Sequence, residues 1–287
     1  MTREGVLPLS SRSQTRYNAG AMSTRRLILI GGALVIAAGC IVYLAHHLGQ
    51  PSTQAGSQQR PGSPRTWQPV APGIEVRSFI RMGERGPAEI LAVRVNPERC
   101  RIRVVDARRD FGDAAATSDQ VCPPRGAAIN GSFFADGTSR RPLGLLICDR
   151  RAIQSHILGD QWGVFAVTED RAAIIRSRDP LPVAVTQALQ AKPRLVIAGR
   201  IPHFKQQPAA CRSAVGLDRK GRVFLAATDD FLTLAEWASC MRDSLECVDA
   251  LNLDGGPSTQ LTVRGRRSSA VRGGWPVPVL IAVEPRQ

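Results

Sequence analysis

A chain of 287 residues with 43% hydrophobic side chains is long enough to bury one sizeable core, and its composition excludes wholesale disorder. The formal charge of +14 calls for an anionic partner, yet all but three of the 38 basic residues are arginines, spread along the chain without a dense basic stretch interleaved with aromatics. That pattern argues against a nucleic-acid partner and leaves a membrane surface or an attraction for anionic substrates.

In chain order, residues 1–26 form a basic N-terminal segment and residues 27–45 carry no charge. At ~1.5 Å per helical residue the second stretch reaches across most of a ~30 Å hydrocarbon layer. Arg3, Arg12, Arg16, Arg25 and Arg26 precede it and His46 and His47 follow. The positive-inside rule therefore predicts a single-pass anchor in the cell membrane, with residues 1–26 cytoplasmic and the C-terminal domain extracytoplasmic. A cleaved signal peptide starting at Met22 and a lipid-modified Cys40 are the alternatives, and all three export residues 48–287. Six cysteines (Cys100, Cys122, Cys148, Cys211, Cys240 and Cys247) lie in the exported part, an even count that permits three disulfides. Zinc is not expected: no Cys-x-x-Cys pair occurs, and only His156 and His203 lie beyond residue 47.

Residues 46–72, rich in Gln, Ser, Pro and Gly, read as a flexible linker ahead of a domain spanning 73–287. Apolar alternation predicts strands at 74–80, 89–95, 101–106, 126–130, 143–148, 163–168, 172–175, 194–198, 213–217, 222–227, 261–263 and 277–283, with a short helical stretch around 114–120. One longer helix is predicted over Leu234–Leu245, where Thr233 and Glu236 form a capping box that accounts for the Glu236 carboxylate. Many strands and few helices indicate an α+β fold with a largely antiparallel β-sheet core.

The most informative stretch is Asp249–Leu261. Apolar alternation through Leu251 and Leu253 ends at Asp254, Gly255 and Gly256, followed by Pro257, Ser258 and Thr259. This is a buried strand running into a turn where backbone can approach a ligand closely; the alternative is a plain hairpin connection. Asn130-Gly131 at the end of another strand offers an amide to a sugar hydroxyl or serves as a turn. Asp229 and Asp230 stand either at a strand end facing a site or in a solvated turn. Phe133, Phe134, Trp162 and Phe165 suit the core better than a sugar face.

Four segments, Asn130–Phe134 with Arg141–Leu145, Trp162–Val167, Arg212–Asp218 and Leu251–Ser258, resemble the phosphodiester glycosidase family in order and spacing, across roughly residues 90–283. The family's animal member removes N-acetylglucosamine from a phosphodiester-linked mannose. The resemblance implies hydrolysis of the glycosidic bond of a sugar-1-phosphodiester. Asp254 would act on the anomeric carbon as nucleophile or base, and Arg212 would brace the departing phosphate with a bidentate fork. Asn130 would complete the catalytic set, with Gly131, Phe133, Gly144, Asp229, Gly255, Gly256 and Ser258 around the substrate. No cofactor is implied; a divalent cation such as calcium, held by Asp254 with Asn130 or Asp229, is the one exception weighed. The expected function is that of a membrane-tethered envelope glycosidase acting on an exopolysaccharide or cell-envelope glycan, with a non-catalytic anionic-glycan binder as the alternative. A nuclease or phosphatase would call for paired metal-binding carboxylates that the sequence lacks.

Overall fold

The computed structural model describes residues 66–135, 140–205 and 207–286. The basic segment 1–26, the apolar span 27–45 and most of the expected linker lie outside these residues. Among the described residues no helix is long and apolar enough to cross a membrane.

Three antiparallel sheets make up the domain. The first has seven strands in the order β1 (Gln68–Ala71), β2 (Ile74–Gly83), β3 (Gly86–Val95), β13 (Val223–Leu232), β12 (Ala210–Asp218), β14 (Cys247–Asn252) and β11 (Arg194–Val196). The second orders β16 (Ser269–Val271), β15 (Leu261–Arg264), β5 (Gly126–Asn130), β17 (Val279–Pro285) and β4 (Cys100–Asp106). The third orders β7 (Arg151–Gln154), β6 (Leu146–Cys148), β10 (Gln187–Ala191), β8 (Gly163–Val167) and β9 (Ala172–Arg176). The helices are short: α1 (Ala107–Phe111), α2 (Ser118–Val121) and α3 (Leu234–Ser239). The expected sheet-dominated, antiparallel architecture with few helices is what the domain shows.

Strand periodicity explains how the layers join. In β3, Leu91, Val93 and Val95 enter a central core shared by all three sheets, while Ala88, Ile90 and Ala92 face a second core under α3. In β12, Val215 and Leu217 take the central side and Ala214 the α3 side. Such two-sided burial gives the near-continuous apolar runs that mark these strands in the sequence.

Several expectations need correction. Trp67 packs edge-on against Phe224 at 5.8 Å, and β1 pairs with β2, so ordered structure begins inside the stretch read as linker. The Leu234–Leu245 helix keeps its α form only to Ser239; Cys240–Ser244 widens into a π turn closed by the Leu245 N–H on the Cys240 carbonyl at 3.3 Å. The capping box is present as read, and the Glu84 N–H also donates to Glu236 Oε1 at 2.6 Å. The structure joins none of the six buried cysteines to another in a disulfide. Burial pushes the Cys100 and Cys122 thiols up to about 11 and Cys148 to about 12.

Candidate functional site

The site grows from the end of β5. Asn130, fully buried, accepts the Ser213 hydroxyl on Oδ1 at 2.7 Å and the Gln260 N–H at 3.1 Å, and donates from Nδ2 to the Asp254 carbonyl at 2.7 Å. Its partners come from β12, from the residue preceding β15 and from the turn after β14, so one amide ties two sheets to the Asp254 turn. The Asp254 N–H donates in turn to the Gly131 carbonyl at 3.1 Å, and the Leu253 N–H to the Ser213 carbonyl at 2.9 Å. Asp254 is therefore pinned through both backbone polar groups. Its side chain is half-buried, with Oδ1 accepting the Gly255 N–H at 3.0 Å.

The glycines serve this packing. A Cβ on Gly255 would lie 2.8 Å from the Cys211 carbonyl, and one on Gly131 would lie 2.9 Å from the Val279 carbonyl. Gly256 has φ +58, in the left-handed region that starts the 3-10 turn Gly256–Ser258. The Pro257 carbonyl then accepts the Gly274 and Trp275 N–H groups at 3.0 and 3.2 Å, fastening the turn to the loop before β17. Ser258 is buried, so its hydroxyl is not presented to a ligand. Cys211 brings Asp229 close: its thiol donates to the Asp229 carbonyl at 3.1 Å, and the Asp229 side chain is exposed. Asp230 is committed elsewhere, accepting the Glu89 N–H at 2.7 Å.

Phe133, Trp162 and Lys192 stand beside this hub. Phe133 meets Trp162 edge to face at 5.8 Å, and Lys192 Nζ lies 5.0 Å from the Trp162 ring centre. The Lys192 carbonyl accepts Asn252 Nδ2 at 2.9 Å, and the Asn252 N–H donates to the Pro193 carbonyl at 3.0 Å. Phe165 is fully buried as expected, whereas Trp162 is half-exposed and belongs to the rim.

Two expected roles change. Arg212 is 8% exposed, and its guanidinium donates to the Leu232 carbonyl at 2.9 Å and the Pro208 carbonyl at 3.1 Å. It follows the strand alternation away from Ser213, whose hydroxyl holds Asn130, so the fork is spent on backbone carbonyls. Desolvation lowers its pKa, opposed by the charges of Cys211 and Glu236. Asn130 has no exposed surface, so its amide is not open to a ligand. Gly144 belongs to another cluster: at φ +80, its missing Cβ would fall 2.3 Å from Gln190 Oε1.

Ser213, Gln260 and Lys192 complete the arrangement without having stood out as site residues. Ser213 is a polar residue on the face of β12 that otherwise carries Val215 and Leu217, the one signal that marks it. Among the described residues no group of three or more His, Cys, Asp or Glu could hold a metal ion. A cavity of about 460 Å³ at Asp218, Arg219 and Arg242 lies at the far end of β12, where Arg222 pairs with Asp218 at 2.6 Å and Arg242 with Asp243 at 2.7 Å.

Comparison with known proteins follows the same outline. The catalytic domain of zebrafish N-acetylglucosamine-1-phosphodiester alpha-N-acetylglucosaminidase, solved auto-inhibited by its pro-peptide, superimposes with a TM-score of 0.58 at 18% identity, covering 75% of this chain and 85% of that one. A hypothetical protein from Synechocystis gives a TM-score of 0.55 at 19% identity over 79% of this chain, which spans 64% of that protein's length. A Burkholderia pseudomallei protein described as exported gives 0.53 at 13% identity, covering 69% and 74% of the two chains. These likenesses establish the fold. No curated protein matches the chain by sequence. The phosphodiester glycosidase sequence profile matches residues 125–284, more than half of the chain and inclusive of β5, β12, β14 and the Asp254 turn. The chain belongs to the phosphodiester glycosidase family.

Proposed function

We propose that the protein hydrolyses the glycosidic bond of a sugar-1-phosphodiester, with Asp254 as the group that acts at the anomeric carbon. One observation carries this reading: the half-buried Asp254 carboxylate is held at the junction of two sheets by bonds to its own N–H and C=O and by the Gly255 N–H on Oδ1. A carboxylate fixed this way meets a reacting centre without reorganising. A phosphate monoester is a good leaving group, so the demand for a strong general acid is small. Asp254 either attacks the anomeric carbon or takes a proton from water that does; the first retains and the second inverts configuration, and NMR of the released anomer separates them. Exposed Asp229 flanks the turn and is available to the substrate. Asn130, Gly131 and Gly255 position Asp254.

The substrate is an exopolysaccharide or cell-envelope glycan that carries a sugar-1-phosphodiester such as that of N-acetylglucosamine, met by a domain tethered through residues 27–45. The uncharged span with arginines before it and the net charge of +14 support that placement. No cofactor is needed by this reading, and a calcium arm tests the alternative that Asp254 holds a hard cation. The deciding experiment measures free sugar released from an N-acetylglucosamine phosphodiester by the full chain and by Asp254→Asn, with calcium and with chelator. Release by the wild type alone supports the reading. Glycan binding without turnover in any condition replaces it with an anionic-glycan binder.

A further inference from the structure

We infer that Lys192 is the phosphate-recognition residue of the Asp254 site, its ammonium meeting the diester anion while Trp162 and Phe133 carry the sugar or aglycone face. This rests on the hydrolase reading above and names where its substrate sits.

Three of the domain's arginines are already engaged and not available to the diester. Arg212 is buried on two carbonyls. Arg194 is bound to Asp249 at 3.2 Å, and Arg140 donates to the Pro276 carbonyl at 2.6 Å. Lys192 is exposed and forms no ion pair among the described residues. It is one of only three lysines in a chain that otherwise uses arginine.

Its placement is fixed from two sides. The backbone is bonded to Asn252, two residues before Asp254, and the ammonium rests on the Trp162 ring, which leans on Phe133, two residues after the Gly131 that receives the Asp254 N–H. Cation–π seating restricts a flexible side chain before the anion arrives, which lowers the ordering cost of binding. The chemistry suits a lysine. A phosphodiester carries a single negative charge, and a compact ammonium with three rotatable donors can meet it without the planar geometry an arginine fork demands.

The charge also changes along the reaction. Water supplies a hydroxyl to the anomeric carbon, the electrons of the carbon–oxygen bond go to the phosphate oxygen, and the water proton passes to the departing phosphate or to solvent. Negative charge on the phosphate grows as that bond breaks, so the ammonium contributes more in the transition state than in the bound diester.

The test is steady-state hydrolysis of a benzyl phosphodiester of N-acetylglucosamine by the full-length chain in detergent micelles. Lys192→Gln should lower kcat/KM by roughly 10- to 100-fold and flatten its dependence on salt. Lys192→Arg should recover part of the loss, since it restores charge but not the same seat. Lys220→Gln, which removes an equal charge beyond the far end of β12, should behave as wild type. Wild-type kcat/KM and salt dependence in Lys192→Gln would overturn the assignment while leaving the hydrolase reading intact. Should the wild type cleave no phosphodiester, the hydrolase reading fails and calorimetric titration of N-acetylglucosamine 1-phosphate decides this one. Binding about tenfold tighter to wild type than to Lys192→Gln upholds it, and equal binding, or none to either, overturns it.

Discussion

Two buried amides in this domain do similar physical work to different ends. Gln190, in β10, accepts the Leu145 and Leu158 N–H groups at 3.1 and 2.9 Å and donates to the Leu158 carbonyl at 3.1 Å and the Ser177 hydroxyl at 2.7 Å. Every partner belongs to the third sheet or its connections, so the network closes on itself and stabilises a layer. Asn130 is equally buried, but its partners belong to two different sheets and to a turn whose carboxylate is half-exposed. A saturated buried amide is thus no mark of function. What distinguishes the second hub is that its bonds end on a group a ligand can reach.

Substitution at Asp254 should separate the two hubs most sharply. Asp254→Asn keeps the Oδ1 acceptor for the Gly255 N–H yet removes the charge, so turnover should fall by about 10³-fold or more while the thermal midpoint stays within a few degrees. Next come the amides themselves. Asn130→Ala and Gln190→Ala each orphan several buried groups and should each cost about 3 kcal/mol in urea unfolding. Only Asn130→Ala should also lower kcat/KM measured on the folded fraction; an equal activity loss in both would erase the distinction. Arg212→Met should cost about 2 kcal/mol of stability by stranding the Leu232 and Pro208 carbonyls, with KM unchanged in folded protein. A raised KM there would return Arg212 to phosphate binding.

Glu236→Gln is the smallest effect and bears on neither hub. Burial pushes the Glu236 carboxyl upward, but hydrogen bonds from Glu84, then Thr233, with the charge of Arg212, bring it below its ordinary 4.5. A depressed folded-state value means the stabilisation is full above 4.5 and is lost as pH falls through the folded value. The variant should therefore cost about 1 kcal/mol at pH 7 and much less at pH 3, read from urea midpoints.

How much of this was legible follows from what each residue touches. The strands β2 to β5 announce themselves because their side chains alternate or form apolar runs. β10 does not, since Gln187 and Gln190 occupy buried positions that only non-local partners can satisfy. β1 is hidden in a stretch rich in proline and glutamine. The turn at Asp254 is legible because a carboxylate followed by two glycines departs from strand chemistry. The burial of Arg212 is not legible, because carbonyls 4 and 20 residues away take its guanidinium and no local pattern encodes that. Lys192 carries no motif at all; its role emerges only when strand register sets Asn252 against it.

The bonds that hold Asp254 also join distant parts of the chain. Asn130 reaches 83 residues to Ser213, 124 to Asp254 and 130 to Gln260. Such contacts close only after the intervening segments have paid their loop-closure entropy, and they form late in chains dominated by non-local pairing. The strands need the same closure, since β12 pairs with both β13 and β14 and β5 with both β15 and β17. The proposed site is therefore complete only when residues 130, 213, 254 and 260 have met, and a nascent chain released before residue 260 has emerged lacks one of its supports.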